Sequence, residues 1–347
     1  MPENKYRKYL GAAGQLLTGI LVIVLIVIIL QNVLGFVQVK TAPPGWQIIR
    51  PPHEVSTLII GNDTIWTGGK DGVIVINRST GDRISMPSPV PAFGYVRQIF
   101  RDAEGGIWVG HDGGLARFRN GSWQVLAPAQ NVPFTKVLSI AQRRDGTMVI
   151  GTDMDVLSFR DGSWTSLLGP GAPSIASADV LLEDRDGSLW IGCGAPTRGG
   201  LYRLNGTTWS SYTISDGLPH LSVRGMTQTR DGTVWIATGF SRHGGAALYS
   251  GGRWTNLTVQ DGLAGESTRS VYEDDTGRMW IGSEYDGIVV GTPGSWQVLT
   301  EKDGLAGYEV KVVVQDPDGT WWLGTNSGLN RVERTVLFPA DTGKNPG

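Results

Sequence analysis

From Val55 to about Val332, short apolar runs alternate with Gly-rich polar turns, and the alternation recurs at a near-constant step. The clearest mark is a turn, two residues, then Trp, an aliphatic residue and Gly. It reads "EGGIWVG" (Glu104–Gly110), "DGTMVIG" (Asp145–Gly151), "DGSLWIG" (Asp186–Gly192), "DGTVWIA" (Asp231–Ala237), "TGRMWIG" (Thr276–Gly282) and "DGTWWLG" (Asp318–Gly324), with a looser copy at Asn62–Gly68. The Trp column runs Trp66, Trp108, Val149, Trp190, Trp235, Trp280 and Trp322, in steps of 42, 41, 41, 45, 45 and 42 residues. Such a period marks a repeat architecture.

Each unit has the same inner order. An apolar run such as Val271-Tyr272 or Val312–Val314 is followed by an Asp/Gly turn, the Trp strand, a Gly-rich loop and a third strand such as Gly114–Phe118. A second Gly turn leads to a fourth strand that opens on another Trp. Four short strands joined by hairpin turns make one antiparallel sheet. One such sheet cannot bury both faces alone, whereas seven can close into a ring. The pattern therefore predicts an all-β fold, a seven-bladed β-propeller of four-stranded antiparallel blades. Helical repeats fit poorly, because Gly, Thr and β-branched residues are weak helix formers.

The 13 Trp sharpen the reading. Six stand in the second-strand column, and Trp123, Trp164, Trp209, Trp254 and Trp296 open fourth strands. Trp321 neighbours Trp322, which leaves Trp46 alone in "APPGWQIIRPPHE" (Ala42–Glu54). "GWQII" matches "SWQVL" at Ser122–Leu126 and at Ser295–Leu299, and the last unit lacks a fourth-strand Trp. Residues 45–49 are thus expected to close the last blade, with "RTVLF" (Arg334–Phe338) as the rival for that place. All these Trp are expected to pack between blades.

Ahead of the repeats, no charge falls between Tyr9 and Val39, and Leu16–Leu30 is almost wholly apolar. About 20 such residues span a bilayer as a helix. Lys5, Arg7 and Lys8 precede it, which favours a cytoplasmic amino terminus. No Ala-x-Ala-like cleavage site follows. The expected organisation is a cytoplasmic basic end (1–10), a transmembrane signal-anchor α-helix (11–37), a linker (38–44), the propeller (45–338) and a tail (339–347). The propeller would be extracytoplasmic, at the cell membrane, with the lipid bilayer as a partner of the helix.

Composition adds limits. The formal net charge of −2 gives no argument for a nucleic-acid partner. The one cysteine, Cys193, rules out an intramolecular disulfide. Gly, at 50 of 347 residues, suits a chain built of turns.

The units resemble the two-component regulator propeller repeats of bacterial extracytoplasmic sensor regions. The resemblance is carried by Ser215–Gly239, Gln260–Ser283 and Glu301–Val332, where Asp-Gly-Leu precedes a Val-rich strand, a turn, Trp-Ile/Leu-Gly and Gly-Leu. It implies a sensor or binding module in signal transduction. A kinase activity is not implied, since after Val332 only "ERTVLFPADTGKNPG" remains. A separate signalling protein is therefore an expected partner. Two other readings stay open: a propeller lyase of the virginiamycin B lyase type, whose repeats also show Asp-Gly-x-x-Trp, and a structural envelope scaffold.

Strand alternation puts the second-to-third loops and the blade-to-blade loops on one face. Two of these loops are longer, Gly192–Gly200 and Ala237–Gly245. Eleven residues before the Trp column stand Val55, Arg97, Leu138, Asp179, Arg224, Arg269 and Lys311, near the loop-rich end of the inner strands. The candidate ligand-binding set is Arg97, Arg224, Arg269 and Lys311, with Arg198, Arg242, His243, Glu284 and Tyr285 from the loops. Converging Arg could hold an anionic ligand, and a saccharide is the other class expected. The alternative is that these cations pair with acids between blades, Glu266, Glu284 and Glu309 being available. No catalytic residue and no cofactor are assigned. His220, His243 and Glu284 lack spacing that fixes a metal geometry, and Cys193 reads as a small filler.

Overall fold

The computed structural model describes residues 42–128, 134 and 136–338. The expected basic end and anchor helix lie outside the described residues, as does the tail. Among the described residues, no helix is long and apolar enough to cross a membrane.

The chain from Trp46 to Val332 forms seven four-stranded antiparallel sheets. The first strands are Thr57–Ile60, Val96–Arg101, Val137–Gln142, Ala178–Glu183, Val223–Gln228, Thr268–Glu273 and Val310–Gln315. Each pairs with the Trp strand that follows it, at the Asp/Gly turn the sequence marks. The Trp column packs forward onto the next blade. Trp108 joins Val137, Ile140, Ile150 and Leu157 of blade three, and Trp190 joins Val223, Val234 and Ile236 of blade five. Trp322 of blade seven packs with Val55, Leu58, Ile65 and Ile74 beside blade one, so the same contact closes the ring. Burying a large aromatic between sheets supplies both apolar area and shape.

The closing blade takes its outer strand from the start of the chain. Trp46–Ile49 pairs antiparallel with Gly328–Val332, in the register Trp46 to Val332 through Ile49 to Leu329. Arg334–Leu337 instead makes one helical turn. Trp46 occupies the place its counterparts hold elsewhere. A Cβ on Gly304 would meet the Trp46 ring at 2.8 Å, as one on Gly217 would meet Trp254 at 2.9 Å and one on Gly262 would meet Trp296 at 2.7 Å. These glycines end the Asp-Gly-Leu turns with φ of 119°, 117° and 98°. Both the positive φ and the ring above require glycine. The turns are capped by Thr213–Asp216, Thr258–Asp261 and Thr300–Asp303 pairs.

At the short-turn face the blades are clasped in sequence. The last side chain of a first strand accepts the backbone N–H of the preceding blade's turn. The pairs are Ala103 to Gln142 (2.7 Å), Arg144 to Glu183 (2.8 Å), Arg185 to Gln228 (2.8 Å), Arg230 to Glu273 (2.8 Å) and Asp275 to Gln315 (2.9 Å). At the seam between blades seven and one, Pro317 stands in that turn and offers no N–H. There Arg78 donates to Asp316 at 2.6 Å and to Asp318 at 3.2 Å instead. Within the turns, buried Asp102 and Asp184 accept the indole N–H of Trp108 and Trp190 at 2.7 and 2.8 Å.

Two features depart from the sequence reading. Blade one has an outer strand of only two residues, Arg83–Ile84. The segment Ala237–Gly245 is not a loop but a hairpin. Val234–Phe240 and His243–Ser250 pair up to Phe240 and His243, around a two-residue turn with Ser241 and Arg242 at φ 50° and 64°. Paired φ > 0 residues make the turn whose twist matches the strands.

Candidate functional site

The inner strands are not regular. In six blades one extra residue is inserted between the first and third positions of the first strand: between Val96 and Gln98, Val137 and Ser139, Ala178 and Val180, Val223 and Gly225, Thr268 and Ser270, and Val310 and Val312. The inserted residues are Arg97, Leu138, Asp179, Arg224, Arg269 and Lys311. They are the column that stands eleven residues before the Trp. A bulge re-aims the side chain it frees, and all six line one cavity of about 260 Å³, with Ser56, Tyr95 and Glu309. In blade one Val55 is fully buried and Ser56 lines the cavity in its place. The cavity lies at the starts of the inner strands, hence on the face of the second-to-third and blade-to-blade connections.

The cations there are mostly neutralised. Arg97 makes a two-pronged contact with Asp112, at 2.7 and 2.9 Å, and lies 4.5 Å over the Tyr95 ring. That bonding holds the Asp112 carboxyl below the usual aspartate range. Arg269 is bonded to Glu284 and, at 3.1 Å, to Glu309. Lys311 Nζ reaches Glu54 at 2.7 Å, Tyr95 Oη at 3.3 Å and Glu309 at 3.4 Å. Burial works against the Lys311 ammonium, but Glu309, Tyr95 and Glu54 outweigh it and its pKa stands above the usual lysine value. Burial raises the Tyr95 phenol.

Arg224 differs. Its guanidinium reaches Asp179 at 3.2 Å through Nη1, while Nε is buried without a hydrogen-bond partner among the described residues. Burial, and Arg269 beside it, push its pKa down.

The loop residues do not join the cavity. Arg242 lies 4.5 Å over the Tyr285 ring on the outer surface. His243 is 80% exposed and 4.0 Å from Glu266, so Glu266 faces a histidine rather than the arginine column. Arg198 is exposed in the other long connection. Glu284 does not line the cavity but ion-pairs with Arg269, which does, and its hydrogen bond raises the neighbouring Tyr285 hydroxyl. The sequence column therefore locates the cavity, and the acid pairing weighed as the alternative is what most of its cations do. The residues missed are Ser56, Tyr95, Glu54 and Asp112. A signal for Asp112 exists, since it stands fifteen residues after Arg97 just as Glu284 stands after Arg269. Glu54 leaves no such signal.

Among the described residues, no group of three His, Cys, Asp or Glu is placed to hold a metal ion. Cys193 is fully buried, and burial pushes its thiol up to about 12. A thiol so raised stays protonated and is a poor nucleophile.

Residues 217–240 and 262–285 match the two component regulator propeller family. No curated protein matches it significantly in sequence. Among solved structures, it superposes on the extracellular domain of BT3049, assigned as a hybrid two component system of B. thetaiotaomicron, with a TM-score of 0.69 and 19% identity. That match covers 84% of this chain but only 42% of the BT3049 domain, so the chain spans less than half its length. A catalytically inactive virginiamycin B lyase of Staphylococcus aureus with quinupristin gives a TM-score of 0.65 at 12% identity, covering 83% of this chain and 98% of the lyase. YCF48 bound to D1 peptide gives 0.63 at 12% identity, covering 84% and 97%. At these identities the likeness is one of fold.

Proposed function

We propose that this chain is a non-enzymatic extracytoplasmic propeller module, held at a membrane by its apolar amino-terminal segment, that binds a ligand at the axial cavity and reports to a separate signalling protein. The observation that carries the reading is the bulge ring. Six blades spend one inner-strand residue each on aiming a side chain into a single cavity, which packing between blades does not require. The repeat match and the likeness to an extracellular two component propeller support the setting.

The test is a thermal-shift screen of the full chain in detergent against neutral and anionic saccharides and short peptides. A ligand that binds the folded state raises the apparent stability. A hit should be lost in the double variant Arg224→Ala with Arg269→Ala. If every ligand and partner interaction survives that variant, the cavity is not the binding site.

A further inference from the structure

The ring of bulged residues is asymmetric in one respect. In each of those six blades the residue that follows the second-strand partner of the inner strand's first residue sits beside the bulged residue. In blades two and six that neighbour is Asp112 or Glu284, and it neutralises Arg97 or Arg269. In blade five it is Gly239. Arg224 is thereby left without an acid of its own blade. Among the described residues its one ion pair crosses to Asp179 of blade four, whose carboxylate also accepts from Ser177 Oγ. An acid cannot take the place of Gly239 within this backbone. Its φ is 149°, and a Cβ there would lie 2.6 Å from Ser267 Cα. Blade four carries the long Gly192–Gly200 connection, and blade five extends its second and third strands as a hairpin to Phe240 and His243.

We infer that Arg224 is the seat of a small monocarboxylate ligand, taken into the axial cavity between blades four and five. This deepens the reading of the cavity as a ligand site and rests on it. Arginine presents a planar fork that matches a planar carboxylate. A dianion such as sulfate or phosphate is disfavoured, because Asp179 and Glu309 also line the cavity and repel a second charge. The other three cations are already held by acids, so an incoming anion gains least from them. The ligand would compete with Asp179 for the guanidinium, which makes Asp179 a tuning residue with a predicted sign.

The experiment measures the melting temperature of the full chain in detergent at constant ionic strength, with acetate, its neutral isostere acetamide, and sulfate. Acetate at ten times its Kd should raise the melting temperature by about 3 °C. Acetamide should not. Arg224→Gln should abolish the acetate response. Asp179→Asn should tighten it about five-fold, the order of one partly exposed ion pair. The Asn variant keeps the inference testable if the Gln variant does not fold. No acetate response in the wild type overturns the inference, as does a response that survives Arg224→Gln, one that weakens in Asp179→Asn, or an equal response to sulfate. A ligand from the wider screen that is lost with Arg269→Ala but indifferent to Arg224→Gln overturns the carboxylate seat while leaving the cavity as the binding site.

Discussion

Trp46 is the residue whose replacement should say most about how the ring is held. It is 8% exposed, its ring covers Gly304, and its backbone begins the pairing with Gly328–Val332. Trp46→Ala deletes nearly the whole buried side chain and leaves a cavity against a glycine that cannot fill it. Large-to-small changes of this kind cost about 3–5 kcal/mol. For a domain of this size that is on the order of 10 °C in melting temperature. Trp254→Ala is the internal comparison, because Trp254 covers Gly217 in the same way within an unbroken blade. Both variants lose packing, but only Trp46→Ala loosens the strand that ties the first described strand to the last. Urea unfolding followed by intrinsic fluorescence gives the free energies, and limited proteolysis of the Arg50–Ser56 connection reports fraying of the clasp. A loss below about 1 kcal/mol, or a connection no more cleavable than in Trp254→Ala, would show that this strand is not what closes the ring.

Other outcomes follow from the same geometry. Asp102→Asn turns an acceptor of the Trp108 indole N–H and the Arg117 guanidinium into a donor facing donors. It should cost about 2–4 kcal/mol by calorimetry. Gln228→Ala leaves the Arg185 N–H without its acceptor and should cost about 1 kcal/mol, additive with Gln142→Ala because the clasps are separate. His111 is buried, and its Nδ1 accepts the N–H of Gly94 and of Gly113, both at 3.1 Å. Burial lowers its pKa. The folded state therefore favours the neutral ring. The stability this provides is complete above the unfolded pKa of about 6.5 and is lost as pH falls through the lower folded value. Melting temperature against pH between about 6.5 and 5 should slope less in His111→Gln than in the wild type. Equal slopes would remove His111 from the acid response.

The repeats made the blades legible because each blade is built from near neighbours in sequence. Hairpin turns, strand alternation and the Trp column are local, and the likeness of "GWQII" to two other fourth strands was enough to place Trp46–Ile49 beside the last repeat. The column eleven residues before the Trp was legible too, as a position. Its meaning was not. A bulge is a two-versus-one mismatch between paired strands, which spacing within one strand does not reveal, so the sequence could not say that these side chains turn into the axis. The hairpin at Phe240–His243 escaped for a related reason, since two residues at positive φ there are neither Gly nor Asn.

What the chain determined by itself is the number of blades, their strand order and the way its two ends meet, because those depend on short-range pattern repeated seven times. What only the tertiary structure decided is which charges cancel. Glu54 meets Lys311 across 257 residues, and Asp179 meets Arg224 across 45, because closing the ring lays distant blades side by side. Coulomb attraction acts over a few ångströms in space and takes no account of sequence separation. The sequence shows four basic residues in one column, and among the described residues the fold pairs Arg224 with an acid of the neighbouring blade rather than of its own.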